Sequence, residues 1–150
     1  MSENYGKKFE QQFFHDAAQI DDILILRLPD QQSGYYGSSR NICDFIIFRN
    51  KKLFFIELKS IGGNTFPFSN FKQFDKMMQL PNVEGVVKGL IVWFKDHNKV
   101  LFFDLNVIDD MIKNKLKSIN INKIDESQYI EIPSVKKRVL LTSDYSQLFR

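Results

Sequence analysis

Asp44, Glu57 and Lys59 carry the chain's most suggestive chemistry. Two apolar segments, Ile42 to Arg49 and Leu53 to Lys59, flank the polar pair Asn50-Lys51. Each reads as a strand. If Asn50-Lys51 forms a two-residue turn, Arg49 faces Lys52, Phe48 faces Leu53, and Asp44 faces Glu57. Directly opposed side chains lie about 4.5–5.5 Å apart at Cβ, on one face of the sheet. Alternation then puts Lys59 on the same face and turns Ile56 and Leu58 to the other. Two carboxylates held that close repel, and a divalent cation between them removes the conflict. Their oxygens suit a hard ion such as Mg²⁺. Such an ion activates water and polarises a phosphoryl oxygen, and a neighbouring lysine neutralises charge developing on phosphate. Charged residues on a strand face are ordinarily a solvated surface. Here Ile42, Phe45, Ile46 and Ile47 flank the aspartate, and Leu53-Phe54-Phe55-Ile56 precede the glutamate. That setting predicts a central position, where unpaired charge is costly.

The elements that position these groups follow from periodicity. Ser2 to Gln19 reads as a helix whose stripe is Phe9, Phe13 and Ala17, widened by Phe14. Glu10 falls on or beside that stripe, either as a third carboxylate aimed at the sheet or as a boundary residue with its head in solvent. Ile23 to Leu28 reads as a strand before Pro29, and Asp30 to Arg40 as a loop. Ile61 to Phe68, with Gly62-Gly63 and Pro67, reads as a second loop. Ser69 is placed to cap a helix running to Leu80, stopped by Pro81. Gly89 to Phe94 and Val100 to Asp104 form a strand pair, and Asn106 to Lys117 a helix with Ile108, Met111, Ile112 and Leu116 on one side. Tyr129 to Ile132 and Arg138 to Leu141 read as edge strands. This order predicts one α/β (α+β) domain over residues 1–150: a mixed central sheet flanked by helices.

Composition narrows the classes. A 150-residue chain with 43% hydrophobic and 26% charged residues is globular rather than disordered. One cysteine excludes an internal disulfide framework and a Cys-rich zinc site. No apolar run reaches the length of a membrane span, and Met1 to Glu10 lacks a signal peptide's apolar stretch. The chain reads as soluble and cytoplasmic, with no membrane partner. A net charge of +3 is compatible with nucleic acid without demonstrating it. His15 and His97 have no Ser or Cys partner at a recognisable spacing, and Gly62-Gly63 lacks the flanks of a phosphate-binding loop. Cys43 is expected on the apolar side, opposite the carboxylates.

Asp44 with Glu57-Leu58-Lys59, preceded by a helix carrying Glu10, resembles the PD-(D/E)xK nuclease superfamily. The wider string is similar to RecU-type Holliday junction resolvases: Gly6-Lys7-Lys8-Phe9-Glu10, then Asp44, Glu57-x-Lys59 and Phe66-Pro67-Phe68-Ser69-Asn70-Phe71. The later Gly89-Leu-Ile-Val-Trp-Phe strand, Val100 to Asp104, and Ile132-Pro133 with Arg138-Val-Leu also fit. The resemblance implies a restriction-endonuclease-like fold and a homodimer that nicks opposed strands of four-way junction DNA. It implies Mg²⁺ as cofactor, with Mn²⁺ as a substitute. Asp44 and Glu57 match the metal ligands, Lys59 the transition-state lysine, and Glu10 the helical glutamate. Ile42 stands where bacterial members have a ligating Thr. Asp75 falls at the position of a following Gln, with Gln73 one slip away, so the fourth ligand is one of these two. The short stretch between Glu10 and Asp44 points to a phage-type member, acting in a bacterial or phage-infected cell. Lys7, Lys8, Arg27, Arg40, Lys72 and Gln73 are the DNA-contact candidates near the carboxylates. Tyr35 and Tyr36 read as loop tyrosines, and Lys136-Lys137-Arg138 as a solvated turn. Two rivals remain: another PD-(D/E)xK DNA endonuclease, and a junction-binding module with weak catalysis.

Overall fold

The computed structural model describes residues 4–29, 41–138 and 140–150. Among these, a six-stranded sheet runs in the order β1-β2-β3-β5-β6-β8: β1 Leu24–Arg27, β2 Phe45–Arg49, β3 Lys52–Ile61, β5 Val86–Phe94, β6 Lys99–Asp104 and β8 Ile130–Ile132. Only β3 and β5 are parallel; the other neighbours are antiparallel. The mixed sheet with helices on both faces is the architecture that the alternation of elements predicts.

The β2–β3 turn sets the register. Asn50 and Lys51 have φ of 51° and 64°, the pair of positive values a type I′ turn requires, and this twist suits a tight hairpin. Arg49 therefore pairs with Lys52, Phe48 with Leu53, and Phe45 with Ile56. The expected counting holds along the whole ladder.

Alternation divides the hairpin between two cores. Phe45, Ile47, Phe54, Ile56 and Leu58 pack with Phe9, Phe13 and Ala17 of α1 (Tyr5–Ala17) on one face. Tyr145, Leu148 and Phe149 close that core, with the Phe13 ring 4.8 Å from that of Tyr145. Ile46 and Phe55 face the second core, with Leu90, Val92, Phe103 and the α3 residues Leu105, Ile108 and Met111. Burying these apolar side chains stabilises both faces of the sheet; the first core is rich in aromatic rings and the second mainly aliphatic.

Several boundaries differ from the sequence expectation. β3 continues to Ile61, and Thr65–Pro67 is a short strand, β4, rather than loop; it pairs with β7, Ser118–Asn120, in a separate ribbon. Ser69 caps no helix. Phe68–Asn70 is a single 3₁₀ turn, and α2 covers only Phe74–Met78. Phe71 between them is buried in the second core, and its backbone (φ −103°, ψ 75°) leaves the helical region, which separates the two turns. α3 (Leu105–Lys113) starts at an Asp104 cap, whose side chain accepts from Asn106 N–H at 2.8 Å. It ends before Leu116, which is exposed. At the C-terminus, β9 (Ser134–Lys137) and β10 (Leu140–Ser143) form a hairpin of their own, and Arg138 lies in its turn.

Candidate active site

β3 is the strand between β2 and β5, and it carries Glu57 and Lys59 toward the second core. Glu57 stands beside Leu90 of β5 and is buried. Asp44 precedes the first ladder residue of β2. It is nonetheless locked to β3 by two bonds: its N–H donates to Ile56 O at 3.1 Å, and its Oδ2 accepts from Leu58 N–H at 2.8 Å. The turn thus brings Asp44 and Glu57 side by side as counted, close enough for the Asp44 charge to act on the Glu57 carboxyl.

The electrostatics of this pair are unfavourable in the bare protein. Burial and then the Asp44 charge push the Glu57 carboxyl up to about 8, while Lys59 opposes the rise. Lys59 Nζ lies 3.4 Å from Glu57 Oε2 and keeps a third of its side chain in solvent. Glu57 Oε1 is buried with no hydrogen-bond partner. A buried, unsatisfied carboxylate oxygen beside a second carboxylate is a costly arrangement. It fits a divalent cation, which would satisfy the oxygen and neutralise the pair.

The remaining expected site residues are placed as follows. Among the described residues, no three His, Cys, Asp or Glu side chains converge, so Asp44 and Glu57 stand as a pair. Glu10 is not gathered with them: α1 packs on the opposite face of the sheet, and Glu10 Oε2 accepts from Arg27 Nη2 at 3.0 Å. Asp75, exposed on α2, borders a small cavity lined by Phe68, Phe71, Phe74, Ile108 and Ile112. Gln73 donates from its amide to the backbone carbonyl of Asn41, three residues before Asp44. Standing at the N-cap position of α2, it is tied to the segment that leads into the site. Lys7 and Lys72 are exposed, Lys8 sits 5.8 Å from the Tyr5 ring centre, and Arg27 forms the Glu10 pair. Arg40, Tyr35 and Tyr36 lie outside the described residues.

Cys43 corrects an expectation. It is buried in the second core, the same one that the carboxylates face. Burial, Glu57 and Asp44 push its thiol up to about 12, so it stays a neutral thiol that donates to Phe45 O at 3.3 Å. The chain leading into β2 is not yet a regular strand at residue 43, and simple alternation fails there. Sequence reasoning also passed over Lys88, whose ammonium is buried and bonded to Leu80 O and Asn82 Oδ1. No local pattern marks a lysine that serves a loop carbonyl.

No curated protein matches the chain. A solved structure of Archaeoglobus fulgidus Hjc, a Holliday junction resolvase from an archaeal hyperthermophile, matches at 16% identity. The TM-score is 0.51, over 81% of this chain and 88% of that one. That likeness shows the fold, the PD-(D/E)xK type that the sequence resembles. A family model described as Recombination protein U, RecU, matches residues 22–147. The matched span takes in Asp44, Glu57, Lys59, Gln73 and Asp75 but not α1 with Glu10. The chain belongs to the RecU family.

Proposed function

We propose that this protein is a Mg²⁺-dependent endodeoxyribonuclease that resolves four-way junction DNA by paired nicks, working as a homodimer. The observation that carries the reading is the Asp44–Glu57 pair with its partnerless Glu57 oxygen and Lys59 alongside, in a chain of the RecU family. Membership of that family and the fold shared with a Holliday junction resolvase favour a junction over linear duplex.

Asp44 and Glu57 would hold the cation, with Gln73, just before α2, better placed than Asp75 to join them. The cation, when bound, supplies Lewis acidity to the scissile phosphate and acidifies water. Lys59 donates from its ammonium toward the attacking water or a phosphate oxygen, and its charge offsets the charge that develops there. The Leu58 N–H fixes Asp44 so that the carboxylate does not rotate away when substrate arrives. Arg27 and the lysines of α1 supply phosphate contacts, which give affinity without sequence information. A junction presents two symmetry-related strands, and a two-fold dimer offers one site to each.

The test is cleavage of a mobile four-way junction and of linear duplex by the purified protein, with Mg²⁺ or with chelator, alongside its mass in solution. Mg²⁺-dependent paired nicking selective for the junction supports the proposal. Equal cutting of linear duplex favours a general endonuclease, and binding without cutting favours a junction-binding module.

A further inference from the structure

A second polar constellation lies past the same end of the sheet, on the α1 side. A cavity of about 260 Å³ is lined by Tyr5, Trp93, Lys95, Asp96, Asn98, Lys136 and Arg138. Its chemistry is lopsided. Lys95 stacks over the Tyr5 ring, 4.0 Å from its centre. Among the described residues, Lys136 and Arg138 form no ion pair. The indole N–H of Trp93, a 3% exposed residue, has no acceptor. The one acid, Asp96, already accepts from the Gly63 N–H at 2.6 Å. The cavity therefore offers cations above a buried N–H that has no acceptor, with its only carboxylate engaged elsewhere.

The adjoining helix adds to the imbalance. α1 begins at Tyr5 with no acid in its first turn, and Lys7 and Lys8 stand there instead. Lysines at a helix N-terminus add to its positive dipole end rather than offset it. Three elements distant in sequence thus bring positive charge to one place: the start of α1, the β5–β6 turn, and the β9–β10 hairpin. Like charges gathered around an unpaired donor are stabilised by an acceptor-only anion.

We propose that this cavity binds a backbone phosphate of the DNA other than the phosphate being cut. The inference rests on junction DNA being the substrate. Trp93 stands beside Ser60, and Glu57 beside Leu90. The cavity thus lies three residues, or about 10 Å, farther along the strands than the carboxylates. The carboxylates and the cavity open on opposite faces, so a DNA arm that wraps over that end of the sheet meets both. Lys136 and Arg138, a solvated turn by sequence alone, become anchoring residues for the arm.

Trp93 is the chain's single tryptophan, so its fluorescence reports on the cavity directly. The experiment titrates a labelled four-way junction, at several salt concentrations, into the full chain and into the Lys136→Gln/Arg138→Asn variant. Asn tolerates the positive φ of 58° at position 138. A Lys51→Asn/Lys52→Gln variant removes the same charge at the β2–β3 turn, the opposite end of the sheet. We expect the cavity variant to weaken binding at least tenfold and to lower the slope of log affinity against log salt by about two. It should also lose the junction-induced change in Trp93 emission. The control should keep both, and Lys136→Arg/Arg138→Lys should restore the slope. A cavity variant that matches the control in slope and emission overturns the proposal. If the unaltered protein binds no junction, the reading of DNA as substrate fails instead, and the two failures are told apart.

Discussion

The backbone N–H of Leu58 donates to Asp44 Oδ2 at 2.8 Å, so the strand that carries Glu57 and Lys59 also holds the aspartate in place. Asp44→Asn keeps an oxygen for that bond and removes the charge. We expect the variant to fold normally, to bind junction as well as or better than the parent, and to lose cleavage by at least about 10²–10³-fold, since an amide is a poor Mg²⁺ ligand. Lys59→Ala should lower turnover by a similar factor with little change in affinity. Nicking rates and gel-shift affinities on one junction check both. A folded Asp44→Asn variant that cuts near the parental rate would place the chemistry elsewhere.

Stability should depend on pH through Glu57. Its carboxyl titrates at about 8 in the folded protein against 4.5 ordinarily. The folded state therefore binds the proton more tightly than the unfolded chain. That contribution is fully present below about pH 4.5 and is lost as pH rises through about 8. In chelator, thermal stability should decline between those values. Glu57→Gln should remove much of the decline, and saturating Mg²⁺ should reverse its sign. Melts across pH with and without cation decide; identical slopes for parent and Glu57→Gln would show that the carboxylates are not in conflict.

Gly89 lies where β5 crosses the Phe102 ring of β6. A Cβ built at Gly89 would come within 2.1 Å of that ring. Phe102 is buried in the first core and has little room to move. Gly89→Ala should destabilise by about 1–3 kcal/mol, the usual cost of overpacking. Denaturant titration measures it, and Gly89→Ala with Phe102→Leu should recover much of the loss.

The Arg27–Glu10 pair is partly open to solvent on the arginine side. Its coupling in a double-mutant cycle should stay below about 1 kcal/mol of stability. Its effect on DNA should be larger. Arg27→Gln should weaken junction binding, whereas Glu10→Gln, which leaves the guanidinium free for phosphate, should tighten it. If Glu10→Gln instead abolishes cleavage as completely as Asp44→Asn, the glutamate belongs to the metal site itself.

The hairpin was legible in the sequence because its information is local. A period of two and a two-residue turn fix every pairing from Arg49 to Asp44, and Glu57 and Lys59 follow. The α1 stripe of Phe9, Phe13 and Ala17 was legible for the same reason. What escaped depends on distant partners. Asp16, next to His15 on the helix, carries no local mark, yet it is buried and accepts from the Ser143 N–H, 127 residues away. The β4–β7 ribbon joins two three-residue strands, one containing Pro67, too short for any period to show. Cys43 sits one residue before regular alternation begins. The cavity around Trp93 draws on three separate segments, so no window of sequence contains it.

The Asn50-Lys51 turn lies at the far end of the hairpin from the carboxylates, yet it works as their ruler. Side chains at 50 and 51 are exposed and touch nothing in the site. Their identity is open to change wherever a positive φ is tolerated. Their number is not: one residue added or removed shifts β2 against β3 by one step, and Asp44 then meets the wrong face of its partner strand. Selection on this segment should therefore act on length rather than on chemistry. Substitutions should accumulate there freely during divergence, while insertions and deletions should be confined to connections that no ladder measures.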